Sequence, residues 1–304
     1  MTIADDLRAL AQGVDGLLQE RDFLAQQLTG VQADRNAWMR QADSLAADLA
    51  ETLAALQDCR NPRPRVVVGV NEGGAELEPA LGIPLGAVRV FDQTDVDAFI
   101  AAGKEVYLSV RTVSDVPAVV DRYAGEHRLT LIVRHEPEDD NDTTPMAFQA
   151  EQREAARLVA GRLRFAPCLM AATWTKGQAG QWIAPDVPYD ALCVDGYLRE
   201  IPWTALGFER IFRLVIEDAA ARGLPLAITE VGVPSRVDAS TSTEQAQAAE
   251  ITRLHSIAAG APGIEAVCYF HESVTKDKTR DYRFTARPLV VEAFRAMVTD
   301  EALR

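Results

Sequence analysis

The sequence lacks most of the motifs that announce a chemistry. Its four cysteines, Cys59, Cys168, Cys193 and Cys268, form no C-x-x-C pair and match no zinc spacing. The last three fall in strand-like runs, where a free cysteine serves as a small buried hydrophobe. No serine or cysteine nucleophile elbow is present. The nearest approach to a phosphate loop, Asn71-Glu-Gly-Gly74, lacks the G-x-G-x-x-G spacing. No apolar run reaches the ~18 residues of a membrane span, so no membrane insertion is expected. The first residues, Met1-Thr-Ile-Ala-Asp-Asp6, show neither a basic n-region nor an apolar h-region, so no signal peptide is expected. Positive charge is also scarce. The 31 Lys and Arg face 45 Asp and Glu, a net charge of −14. Such a chain repels nucleic acid and anionic membrane, and the basic residues are scattered. A neutral ligand fits this balance better. Neither a cofactor nor a metal is expected.

What is present begins with a heptad. From Ile3, Leu7, Leu10 and Val14 through to Leu56 and Cys59, nearly every a and d position is apolar, and no proline interrupts them. A 3.5-residue repeat of this length is the signature of a coiled coil. One such helix cannot bury its stripe alone, so self-association into a dimer or trimer is expected. Gly13, Gly16 and Gly30 weaken the helix, and Arg21 and Arg35 place charge in the seam. An intrachain hairpin broken at Thr29-Gly30 is the alternative. Asn61-Pro-Arg-Pro64 then ends the helix. The expected organisation is a stalk over residues 1–60, a proline linker over 61–64 and a second domain over 65–304.

That second domain alternates. Strand-like runs occur at 65–70, 87–91, 105–110, 129–135, 166–172, 189–195, 225–230 and 264–270. Helical patterns lie at 94–102, 114–123, 145–162, 204–222, 243–259 and 288–298, with Ser114 and Thr243 read as N-caps. The stretch 175–188 reads as loop. Eight strands with intervening helices in this length predict a (β/α)8 TIM barrel. An open doubly wound sheet is the alternative.

Barrel active sites lie at the C-terminal ends of the strands. Those ends are polar here: Asn71 and Glu72, Asp92, Arg111, His135 and Glu136, Trp174, Asp195 and Tyr197, Glu230, then His271 and Glu272. Carboxylates with aromatic rings suit a sugar site. Glycoside hydrolysis needs two carboxyl groups, one to protonate the leaving oxygen and one to attack or activate water. Glu136 ends the fourth run and Glu230 the seventh, on opposite sides of a barrel mouth.

At these residues the chain resembles clan A glycoside hydrolases, and family 26, the β-mannanase-like group, in particular. The resemblance rests on His135-Glu136, on Ile228-Thr-Glu-Val-Gly232, and on Tyr269-Phe-His271 with Asp281-Tyr-Arg-Phe284. Val88-Arg-Val-Phe91 and Val194-Asp-Gly-Tyr197 look like that group's strands 2 and 6. It implies a retaining endo-β-glycosidase with Glu136 as acid/base and Glu230 as nucleophile. It also implies that His135 orients the acid/base or binds the sugar. Arg89, Asp195 and Tyr197 are read as further substrate contacts, Trp174 as a sugar platform because it directly follows an apolar strand, and His271 as either a substrate contact or a structural histidine. Two departures bear on the substrate: His135-Glu-Pro-Glu138 replaces a longer His-Glu-Met-Asn run, and Tyr269 or Phe270 stands where a Trp is usual.

Beside these, Glu138 and the acidic run to Asp142 read as a solvated loop, with a divalent cation as the alternative. Trp203 reads as packing, and Asp281-Tyr-Arg283 as a segment that fixes the strand-8 loop through an ion pair, with a sugar-binding role as the alternative. The expected partner is a cell-wall or capsular polysaccharide. A stalked, sugar-directed barrel also looks like a bacteriophage minor tail protein, which could bind glycan without cutting it. Other tail proteins would then be partners. The location would be the virion tail in that case and the cytoplasm otherwise.

Overall fold

The computed structural model describes residues 66–71, 77–91, 95–139, 143–201, 203, 207–274, 280–301 and 303. The heptad, the proline linker, Glu72, Asp92 and the acidic residues 140–142 lie outside the described residues.

The strands follow the alternating pattern. They are β1 (Val67–Asn71), β2 (Ala87–Val90), β3 (Glu105–Val110), β4 (Leu129–Val133), β5, β6 (Leu192–Tyr197), β7 (Leu226–Gly232) and β8 (Ile264–Tyr269). Strand β5 comes in two pieces, Arg164–Ala166 and Cys168–Met170. Neighbouring strands are parallel throughout. The first piece of β5 pairs with β4 and the second with β6. The chain itself thus closes the sheet into a barrel. Pro167 separates the two pieces; it has no N–H to donate, but its carbonyl accepts from Cys193 N at 3.0 Å.

Strand side chains alternate between two environments. Val88, Val90, Leu108, Leu129, Leu131 and Val133 pack outward in one apolar cluster. Each such fully buried side chain contributes roughly 1.5–3 kcal/mol. Inside the barrel lie Ala87, Ala166, Cys168, Cys193, Ala227, Ala266 and Cys268, with Tyr107 and Ile132. This mostly small floor leaves the axis above it to longer polar chains. Arg89, Asp195 and Glu230 occupy it, and all three are buried.

The helices are α1 (Leu77–Leu81), α2 (Val96–Ala101), α3 (Val116–Tyr123), α4 (Pro145–Val159), α5 (Ala171–Thr175), α6 (Ala179–Trp182), α7 (Gly207–Arg222), α8 (Glu244–Gly260) and α9 (Pro288–Thr299). Thr243 caps α8 as expected, accepting from Ala246 N at 3.1 Å. Ser114 does not cap: Thr112 and Asp115 form a reciprocal capping box around it. The stretch 175–188 is not all loop, since α5 ends in it and α6 lies within it. Strand β6 begins later and runs two residues further than the sequence predicts, which takes Gly196 and Tyr197 into the strand. A small antiparallel sheet, unforeseen in sequence, joins Arg236–Val237 and Ser240–Thr241 to Ser273–Val274 and Arg280–Asp281. It ties the segments that follow β7 and β8 together.

Candidate active site

Glu136 is set by a strained turn. Strand β4 ends at Val133, and Arg134 and Glu136 both adopt left-handed φ, at 53° and 49°. Neither is glycine, so each costs about 1–3 kcal/mol that the surroundings must offset. Arg134 N donates to Val110 O at 2.9 Å. Its guanidinium grips Glu151 of α4 at 2.9 Å, and Gln152 Nε2 donates to Val133 O at 3.0 Å. Glu136 N donates across to Cys168 O in β5 at 3.1 Å. A 3-10 turn, Pro137–Asp139, follows. His135 sits between the two strained residues, with its ring 5.2 Å from that of Phe91.

Glu230 is aimed by a bulge. Val194 pairs with Ile228, and Asp195 pairs with Glu230, leaving Thr229 as an extra residue in β7. A bulge re-aims the side chains around it. Thr229 and Glu230 both reach polar partners in the axis. Thr229 Oγ1 donates to Asp195 Oδ1 at 2.6 Å, and the Tyr197 hydroxyl donates to Glu230 Oε2. Gly232 keeps room for this contact: a Cβ there would lie 2.7 Å from the Tyr282 ring and 3.0 Å from that of Tyr197.

Arg89 is the buried cation of the site. Its Nε lies 3.7 Å from Glu230 and its Nη2 3.9 Å from Asp195. Neither nitrogen makes a hydrogen bond among the described residues. Its guanidinium stands 5.0 Å from the Phe91 ring centre. Burial opposes its charge, but Asp195 and Glu230 raise its pKa and keep it protonated. Asp195 also accepts from Cys168 Sγ at 3.1 Å.

One oxygen each from Glu136, Asp195 and Glu230 lie within 4.8 Å of one another. Three such carboxylates could hold a divalent cation. Arg89 already brings a positive charge to two of them, so no metal is assigned there. Burial, then the repulsion of Asp195, raises the Glu136 carboxyl to about 8. Burial and Asp195 also push Glu230 upward, against the pull of Arg89. Closely coupled acids titrate as a set. Arg89 and the Tyr197 hydroxyl favour leaving the charge on Glu230 and a proton on Glu136. The site therefore sets two acids of raised pKa side by side, with Arg89 facing Glu230 alone of the two.

The structure brings Arg89, Asp195, Tyr197 and Glu230 into direct contact, with Glu136 and His135 beside them. It removes Trp174 from the sugar-contact set. Trp174 is buried, and its Nε1 donates to Asp218 of α7 at 2.9 Å, so its ring packs rather than presenting a platform. It likewise makes His271 a wall residue, 1% exposed, with Nε2 accepting from Phe284 N at 3.0 Å and its ring edge-on to Phe284. Glu138 is no solvated loop charge. Half-buried, it accepts from Met170 N and from Thr173 Oγ1, and burial raises its pKa to about 6.

Aromatic surface comes instead from the half-buried Tyr197 and Phe270, which pack on the buried Tyr282 ring, the three ring centres lying 5.5–5.7 Å apart beside Glu230. Tyr269 is turned into the core, where its hydroxyl bonds the Val233 and Tyr282 backbone, so Phe270 is the strand-8 aromatic of this group. Tyr282 lies in the segment for which the sequence offered sugar binding only as the second role, and it reaches the site as a buried ring behind Tyr197 and Phe270. Asn71 and Glu272 join β1 to the β8 end, with Asn71 Nδ2 donating to Glu272 and Asn71 Oδ1 accepting from His271 N.

No protein-family model and no curated protein matches the chain. Solved structures do. A family GH128 (subgroup I) endo-β-1,3-glucanase from Amycolatopsis mediterranei aligns with a TM-score of 0.53 at 12% identity, over 76% of this chain and 99% of that one. The catalytic domain of a GH26 endo-β-1,4-mannanase from Bacillus sp. JAMB-750 aligns with a TM-score of 0.59 at 11% identity, over 78% and 86%. An endo-β-1,4-mannanase from Cellulomonas fimi gives 0.58 at 13%, over 78% and 71%. These likenesses establish the fold, a (β/α)8 barrel.

Proposed function

We propose that the barrel is a retaining endo-β-glycosidase acting on a cell-wall or capsular polysaccharide. The observation that carries this is the approach of Glu136 to Glu230, with oxygens within 4.8 Å. Retaining enzymes place the pair at ~5–5.5 Å, whereas inverting ones need ~6.5–9.5 Å to admit a water. The structural neighbours are endo-β-glycanases, which supports the reading without fixing the glycan.

In this mechanism a Glu230 carboxylate oxygen attacks the anomeric carbon and forms an ester as the glycosidic C–O bond breaks. Glu136 gives its proton to the departing oxygen. Glu136, now a carboxylate, takes a proton from water, whose oxygen attacks the same carbon and breaks the ester. Glu230 leaves as carboxylate, and Glu136 is again an acid. Arg89 steadies the Glu230 charge between steps, and Tyr197 holds the attacking carboxylate in one orientation. Tyr197 and Phe270, both half-buried, offer ring surface to a pyranose.

The heptad of residues 3–59 supports, from sequence alone, an oligomeric stalk that would multiply weak glycan contacts, as on a phage tail. Sedimentation equilibrium of the full chain tests it: a monomer at micromolar concentration would refute the stalk.

The catalytic reading is tested with a panel of β-1,3-glucan, β-1,4-mannan and bacterial wall glycans, assayed for new reducing ends. Cleavage of one panel member by the native chain, lost in both Glu136→Gln and Glu230→Gln, supports it. Undiminished cleavage by Glu230→Gln overturns it, and tight binding without cleavage makes the barrel a glycan binder.

A further inference from the structure

The least expected carboxylate in the barrel is Glu138. It is two residues beyond Glu136, in the 3-10 turn that follows, and it points across the loop rather than into solvent. Its Oε1 accepts from Met170 N, the last residue of β5, and from Thr173 Oγ1 at 2.5 Å in α5. Its Oε2 is buried and has no hydrogen-bond partner among the described residues.

The turn needs such an anchor. Arg134 and Glu136 are both in left-handed backbone, which a free loop would relax. Before Glu136 the loop is fastened to β3 and α4 by Arg134 N and the Arg134–Glu151 pair. At Glu136 itself one backbone bond reaches Cys168 O. After it, the buried fastening is the Glu138 carboxylate, with an exposed Asp139–Arg199 pair at 3.7 Å beyond it. The acid/base is thus held between two side-chain clamps, one on each side.

We propose that Glu138 is a positioning residue for Glu136: its carboxylate pins the acid/base loop to the end of β5 and lays a fixed negative charge beside it. This rests on Glu136 being the acid/base.

The charge matters because Glu136 must hold a proton near neutral pH. The groups facing it are Asp195 on β6, Glu230 on β7, Arg199 beyond β6, Tyr282 after β8, and Glu138 and Asp139 on its own turn. Arg199 favours ionisation of Glu136; Asp195, Asp139 and Glu138 oppose it. Glu138 ionises near 6, below the value of about 8 for Glu136. Between those two pH values the anchor is charged while the acid remains protonated.

The test compares Glu138→Gln with Glu138→Ala in the full chain. The glutamine can keep one oxygen on Met170 N and Thr173 Oγ1 but carries no charge. Alanine loses both. Two readings need no substrate. Hydrogen exchange of the Met170 amide should quicken roughly tenfold in Glu138→Ala and stay near native in Glu138→Gln. The Glu136 carboxyl, followed by carbon NMR and assigned with Glu136→Gln, should titrate lower by on the order of half a unit in both variants. Unchanged Met170 protection in Glu138→Ala, or an unmoved Glu136 midpoint in Glu138→Gln, overturns the proposal. Neither readout involves cleavage, so each can fail while the hydrolase reading stands, and the reverse. Where a panel glycan is cut, Glu138→Ala should lower kcat with KM held and Glu138→Gln should recover most of kcat; unchanged kcat in Glu138→Ala also overturns it.

Discussion

Arg89 Nε stands 3.7 Å from Glu230, inside Coulombic range but beyond a hydrogen bond. The gap says what the arginine does. It brings positive charge to a buried carboxylate without tying its oxygen down in a hydrogen bond, as the proposed role of Glu230 as nucleophile requires. Removing it leaves Asp195 and Glu230 buried without a cation. Arg89→Met should therefore cost about 3–5 kcal/mol in urea unfolding. A loss below about 1 kcal/mol would mean the carboxylates already share protons enough to stand alone.

Glu136 should make the protein less stable as pH rises. Its carboxyl is raised by burial to about 8, against 4.5 for an ordinary glutamate. Between those values the unfolded chain has released a proton that the folded chain still holds. The native state binds more protons, so stability falls with rising pH across that window. Glu136→Gln removes the dependence. Its thermal midpoint should exceed the native one at pH 8 and approach it at pH 4.5. Parallel melting curves across the range would refute the assignment.

The Tyr197 hydroxyl donates to Glu230, so Tyr197→Phe deletes one bond and keeps the ring. The bond favours the ionised nucleophile, and its loss should cost about 1–3 kcal/mol of transition-state stabilisation. The acid limb of kcat/KM on any cleaved glycan should move to higher pH. A lower kcat with an unmoved acid limb would show that the tyrosine only shapes the pocket.

Trp174 gives the opposite expectation. Its indole is buried and bonded to Asp218. Trp174→Phe should lower stability by about 1–3 kcal/mol and leave glycan affinity within twofold, measured by calorimetry. A large affinity loss at native stability would restore it to the sugar-contact set.

These residues also show what was legible in sequence. Strands could be placed because apolar runs meet a charged residue at or near their ends, as at Arg134 just after Val133 and at Glu230 two residues before β7 ends. That put Glu136 and Glu230 on strands 4 and 7. Direction could not be read. Trp174 and His271 follow strands as closely as Glu136 does, yet one turns to α7 and the other to Phe284. A single sequence carries no signal for such a turn. The bulge at Thr229 was equally silent, because it is a register slip between partners distant in sequence. Glu138 was misread because its neighbours are acidic, and its contacts to Met170 and Thr173 are tertiary.

The divided fifth strand has a mechanical meaning. The barrel is a hoop with a joint, and the joint is Pro167, where the ladder passes from one neighbour to the other. Lateral load on a hoop gathers at its joint. The carbonyl one residue further on, at Cys168, grips the Glu136 amide. A polymer that wedges the mouth open therefore tugs on Glu136 first. If Glu136 and Glu230 form the proposed reacting pair, heat that loosens the hoop should misalign them before any strand is lost, and inactivation should precede melting.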